Sequence, residues 1–153
     1  MIELQDSVYV AAPPERVWAW LSDLPVHYRE WHPAHVSCRY ERGESLQVGT
    51  ILYVEEYLHG RLHKLHLRAT AVEPGHLLRY VTRAFRGAFV VEPVGEGTSF
   101  TAQLSFGTRT PLVGGALDAL LRSVLSARLT AFRTHMHEEG ENLKRLLEQE
   151  SSA

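Results

Sequence analysis

Residues 112–149, LVGGALDALLRSVLSARLTAFRTHMHEEGENLKRLLEQ, are the longest periodic segment of the chain. Leu117, Leu120, Leu121, Val124, Leu125, Phe132, Leu143, Leu146 and Leu147 recur at the spacing of one helical face. Continued through the gap between Phe132 and Leu143, the stripe meets His135, Met136 and Glu139. Residues four apart stack on a helix. A histidine and a carboxylate therefore sit together where the pattern asks for core, while His137, Glu138 and Glu141 fall to the polar side with Lys144, Arg145 and Glu148. On a solvated face such a pair would be an ordinary helix contact of roughly 0.2–0.5 kcal/mol. Turned inward it needs a partner, because burying an uncompensated charge costs several kcal/mol.

Working outward, the 153 residues amount to one domain with a core of its own, 1–150, and a frayed tail, 151–153. Net charge is −2, which argues against an electrostatic nucleic-acid binder. No apolar run reaches the roughly 20 residues of a membrane span. The start, MIELQDSVYV, lacks the basic-then-apolar layout of a signal peptide, so the expected place is the cytoplasm. With Cys38 as the single cysteine, an internal disulfide and a thiolate metal cluster are both excluded. The nine histidines are many for this length, so their positions matter.

Before the long helix, 3–10 reads as a strand ended by Pro13-Pro14, and 15–21 as a short helix with Val17, Trp18 and Leu21 at helical spacing. Residues 22–25 break it, and 26–31 form a second short helix ending before Pro33. Strands are expected over 35–40, 50–58, 61–73, 77–82, 88–94 and 99–106, with turns at 43–49, His59-Gly60, Pro74-Gly75 and Gly95-Glu96-Gly97. Thr110-Pro111 and Gly114-Gly115 punctuate the entry to the long helix. Strands joined by short turns make an antiparallel sheet, and one amphipathic helix laid across it makes an α+β domain.

That order, with VYVAAPPERVWAWLSD at 8–23, ATAVEPGHLLRY at 69–80 and GEGTSFT at 95–101, resembles the START-like or SRPBCC superfamily of polyketide cyclases and birch-pollen-allergen-like proteins. The resemblance implies a helix-grip fold: a curved antiparallel sheet of about seven strands around the long C-terminal helix, with two short helices after the first strand and an internal cavity. In many members that cavity takes a hydrophobic or aromatic small molecule, and members occur as monomers and homodimers. A fold so widely shared does not name a ligand.

Three pieces, WHPAH at 31–35, EEYLHG at 55–60 and HMHEEGENL at 135–143, are similar to the metal-site segments of the diacetylphloroglucinol hydrolase family. Those enzymes hold zinc in a START-like domain and cleave a carbon–carbon bond of an acylated phenol. The likeness implies His35, Glu56, His135 and Glu139 as metal ligands and zinc, or another divalent metal, as cofactor. This chain lacks the hydrolases' extra N-terminal segment, and their substrate-positioning residues have no clear counterpart in it.

The residues support part of this independently. Two imidazoles and two carboxylates suit zinc. Within 50–58, Leu52, Val54, Glu56 and Leu58 share one face and Ile51, Tyr53, Glu55 and Tyr57 the other. Aliphatic parity favours Glu56 for the cavity, but both faces are apolar, so Glu55 stays open; His32 likewise stays open against His35. His63 shares parity with Leu65 and Leu67 and is expected at the cavity as a supporting or substrate-contacting group, with Tyr53, Trp31 and His32. Tyr57, Tyr80, Phe85, Phe89 and Phe106 read as core or cavity lining, and Cys38 as a small buried residue. His66 reads as solvent-facing and His27, His76 and His137 as surface. The functional expectation is a small-molecule-binding domain with a divalent-metal site, acting as a metal-dependent hydrolase on an acylated aromatic or polyketide-like ketone. The alternatives are a non-enzymatic carrier of an apolar ligand and a metal-free cyclase or dehydratase using inward His and Glu as acid and base.

Overall fold

Residues Leu52, Val54, Glu56 and Leu58 are buried in alternation with more exposed neighbours, so this segment is a strand with one dry face. In the computed structural model, residues 1–107 and 111–151 are described, the side chains of 111–115, 117, 118, 121, 122, 124, 125 and 151 excepted. The elements run β1 (Ile2–Val10), α1 (Pro14–Leu21), α2 (Leu24–Trp31), β2 (His35–Arg42), β3 (Ile51–Leu58), β4 (Arg61–Glu73), β5 (Leu77–Val81), β6 (Arg86–Val94), β7 (Gly97–Phe106) and α3 (Pro111–Ser151). The strands form one curved antiparallel sheet in the order β1-β7-β6-β5-β4-β3-β2, which is the helix-grip arrangement.

Some element bounds depart from the sequence expectation. Helix α2 begins at Leu24, not Val26, because Pro25 sits in its first turn, where a missing N–H is no loss. Gly97 opens β7 instead of ending the preceding turn. Gly114 and Gly115 lie inside α3, which starts at Pro111. Ser151 is still helical, and residues 152 and 153 lie outside the described ones.

The C-terminal half of α3 is the grip. Met136, Leu143 and Leu147 are buried, and each fully buried leucine contributes about 1.5–3 kcal/mol. Polar residues tie the same half down: Lys144 Nζ donates to the Tyr9 carbonyl at 3.0 Å, and Ala11 N donates to Glu148 Oε1 at 2.9 Å. Leu120, expected on the inward stripe, is instead exposed, and the side chains of Leu117, Leu121, Val124 and Leu125 lie outside those described. Among the described residues no helix is long and apolar enough to cross a membrane.

Between β3 and β4 the chain reverses through His59 and Gly60, both at positive φ (41° and 77°). This is the mirror-image two-residue turn that matches strand twist, and histidine is among the few residues that tolerate it. The turn sets the register that places His63 opposite Glu56.

Candidate metal centre

Four elements deliver one side chain or more to the cavity wall. Helix α2 ends at Trp31, the chain turns through His32-Pro33-Ala34, and His35 opens β2, its N–H donating to the His32 carbonyl at 3.0 Å. Pairing of β2 with β3 sets His35 directly against Glu56. From α3, His135 and Glu139 project together one turn apart. One donor atom from each of His35, Glu56, His135 and Glu139 lies within 4.8 Å of the other three.

Glu139 Oε1 is 2.7 Å from His135 Nε2 and 2.9 Å from His35 Nε2. The two imidazole Nε2 atoms are 3.3 Å apart. Glu56 Oε2 is 3.5 Å from His35 Nε2 and 3.7 Å from His135 Nε2. His35 Nδ1 lies 2.8 Å from the Tyr28 carbonyl, which can only accept, so Nδ1 carries the proton. In the neutral ring Nε2 then presents a lone pair to the cluster. Lone pairs from two imidazoles and two carboxylates repel one another unless positive charge stands between them, so the donor set fits a cation.

Protons supply that charge when no metal does. Burial pushes Glu139 up, but its hydrogen bonds with His135 and His35 and their charges outweigh it and hold its pKa at about 2. Burial pulls His135 down, and hydrogen bonds with Glu139 and Glu56 outweigh it and raise it to about 10. The metal-free cluster therefore keeps a proton on His135, in the place where a metal would compete for Nε2.

The supporting shell is built mainly by Tyr28, for which sequence reasoning found no role. Its ring stacks on His35 (3.9 Å between centroids, 4° between planes), its carbonyl takes the His35 proton, and its hydroxyl donates to Glu56 Oε2 at 2.7 Å. Burial first, and the Glu56 charge next, raise its pKa well above the usual phenol value, so it stays a donor. The spacing Leu24, Tyr28, Trp31 along α2, all buried, was the available signal. Trp31 Nε1 donates to the Glu139 carbonyl at 2.9 Å, and Asn142 Nδ2 donates to the Trp31 carbonyl at 2.9 Å.

The other expected site residues divide. Trp31 lines the cavity. His32 stands outside the four-residue group: Nδ1 accepts from Ala34 N, Nε2 donates to Glu138 at 2.6 Å, and the ring packs 4.3 Å from that of His135. His63 is on the inner face opposite Glu56, its ring 5.0 Å from that of His59, and its buried Nε2 has no partner among the described residues. Tyr53 is corrected: it is on the outer face, its hydroxyl donating to Glu55 and its ring under the Arg39 guanidinium. Tyr57, also expected inside, is 49% exposed. Of the histidines read as surface residues, His76 and His137 are exposed, His76 with Nδ1 donating to the Val91 carbonyl, and His27 is half-buried and stacked on Trp20.

Glu56, His135 and Glu139 face a cavity of about 60 Å³ whose wall is otherwise mainly apolar, with Leu65, Phe85, Phe89 and Met136 among its residues. His35 closes the cluster from behind, its side chain fully buried.

A family model described as "Polyketide cyclase / dehydrase and lipid transport" matches residues 1–148. Comparison with curated proteins finds no match. Among solved structures, the protein TTHA0849 from Thermus thermophilus is 20% identical with a TM-score of 0.74, over 98% of this chain and 99% of that one. The di-domain ARO/CYC BexL from the BE-7585A biosynthetic pathway is 16% identical with a TM-score of 0.73, over 96% of this chain and 50% of that one. Ara h 8.0201 is 12% identical with a TM-score of 0.63, over 97% of this chain and 98% of that one. At such identities the likeness shows the fold.

Proposed function

The chain belongs to the polyketide cyclase/dehydrase and lipid transport family, and from that premise we propose that its cavity takes up a small aromatic or polyketide-like molecule beside one divalent metal ion, zinc first. His35, Glu56, His135 and Glu139 hold the ion in this reading. The observation that carries it is the convergence of four lone-pair donors within 4.8 Å, with Tyr28 fixing the tautomer of one and the orientation of another.

The chemistry this supports best is hydrolysis of an acyl–ring carbon–carbon bond in an acylated aromatic or polyketide-like ketone. Water's oxygen ends on the acyl carbon, giving a carboxylic acid, and the ring carbon takes a proton. A divalent ion at the cluster supplies Lewis acidity toward a ketone oxygen. Four protein donors close a tetrahedral site, so turnover requires a fifth position or a carboxylate that swings off. Glu56 and Glu139, both facing the cavity, are the candidates for that carboxylate and for moving the proton. The apolar walls exclude bulk water and orient the ring.

Elemental analysis of protein purified without a His-tag or added metal tests the reading. About one divalent ion per chain, lost in His135→Ala, is expected. No metal and no tight uptake on titration would overturn it. The 2.7 Å His135–Glu139 pair favours one second reading, a metal-free cyclase or dehydratase in which the two act as acid and base. Activity insensitive to a chelator would select it, and ligand binding with neither metal nor turnover would select a carrier.

A further inference from the structure

Tyr80, on β5, carries a hydroxyl that the fold leaves without a hydrogen-bond partner among the described residues. The residue is 9% exposed and lines the same cavity as Glu56 and Glu139, with its ring centroid 5.7 Å from that of Phe89 and 6.4 Å from that of Phe85. Gly87 lies directly opposite across the β5–β6 pairing, and a Cβ there would overlap the tip of the Tyr80 ring and its hydroxyl. The bare backbone at 87 is thus what lets the phenol lie along the inner wall. Phenylalanine would fill an apolar wall equally well; what the tyrosine adds is one oxygen that no group among the described residues engages. Burial, then the charges of Glu139 and Glu56, drive the Tyr80 pKa up, so the group stays protonated and can donate.

We propose that Tyr80 is a second polar anchor of the cavity, donating its hydroxyl proton to a ligand oxygen other than the one held at the His/Glu cluster. The ligand class that follows is a flat, mainly apolar molecule bearing at least two oxygen functions. The inference rests on the reading of this cavity as a small-molecule site. The space, about 60 Å³, exceeds what one water needs, about 10–15 Å³, so an occupant larger than a water fits against Tyr80.

Tyr80→Phe in the full chain tests it with two readouts. The first is the melting temperature without ligand. It is expected to hold, because the change removes no hydrogen bond within the described residues; a fall of about 4 °C or more would reveal a structural partner and overturn the inference. The second is calorimetric affinity for resorcinol and for phenol, which differ by one oxygen. The wild-type chain is expected to favour resorcinol by roughly three- to tenfold, and Tyr80→Phe to bring the two within about twofold, with phenol little changed. A preference absent from the wild type, or surviving in Tyr80→Phe, overturns the role of Tyr80 alone. If neither compound binds the wild-type chain, the small-molecule reading of the cavity falls, and the inference with it.

Discussion

Glu55 and Glu56 are neighbours on β3, and each accepts a 2.7 Å hydrogen bond from a tyrosine hydroxyl: Glu55 from Tyr53, Glu56 from Tyr28. The bonds are alike and their settings are not. On the outer face Tyr53 has its pKa raised chiefly by the bond itself, beside the Arg39 guanidinium. On the inner face Tyr28 is raised chiefly by burial. Water can replace the outer bond when it breaks. Nothing replaces the inner one, and Glu56 shares its pocket with two imidazoles and a second carboxylate. The same pair of residue types is surface decoration on one side of the strand and part of the proposed metal site on the other.

The strongest way to break this comparison is to neutralise each carboxylate. Glu56→Gln is expected to weaken zinc binding by more than the roughly 100-fold that loss of a supporting residue produces, with Glu55→Gln unchanged. Equal behaviour in competition titration would sink the distinction. Next comes the tyrosine pair. Tyr28→Phe should lower zinc affinity roughly 10- to 100-fold and cost about 1–3 kcal/mol of stability, as measured by urea unfolding. Tyr53→Phe should change neither.

A third test varies pH. With His135 at about 10 in the metal-free protein, zinc must displace a proton at neutral pH, so apparent affinity should climb about tenfold per unit between pH 7 and 9. A flat profile would mean that His135 is already neutral. Metal-free stability has its own window. Glu139, depressed from 4.5 to about 2, contributes fully above 4.5 and loses that contribution as pH falls toward 2. His135, raised from 6.5 to about 10, contributes fully below 6.5 and loses that contribution as pH rises through 10. Both are intact only between, so melting temperature should peak there unless metal is bound. The smallest effect is expected at the clamp: Asn142→Ala removes one bond to the Trp31 carbonyl, worth about 1 kcal/mol, or about 2–4 °C in melting temperature.

Much of this is legible in the sequence. The succession of strands along the chain follows from turn signals, and the helical stripe points at His135 and Glu139 because helical spacing needs no tertiary context. Glu56 followed from parity, with less force, since both faces of β3 are apolar. That same ambiguity misplaced Tyr53 and Tyr57. The choice between His32 and His35 was illegible because it is made by a turn, where three residues of loop decide which ring faces in. Tyr28 stayed hidden for another reason. It acts through a backbone carbonyl, a ring face and a hydroxyl at once, and a buried tyrosine on a short helix reads simply as packing. Leu120 shows the converse error: its spacing is right, but the face it belongs to is not covered at that point of the helix.

His35 and Glu139 stand 104 residues apart in the chain and 2.9 Å apart in space. A chain emerging from the ribosome has made His35 and Glu56 long before their partners exist. It can hold no more than half of the site until the final helix has been synthesised and has docked. In the proposed reading metal capture is then one of the last events in the life of the nascent chain, and a copy truncated before residue 135 would lack two of the four donors.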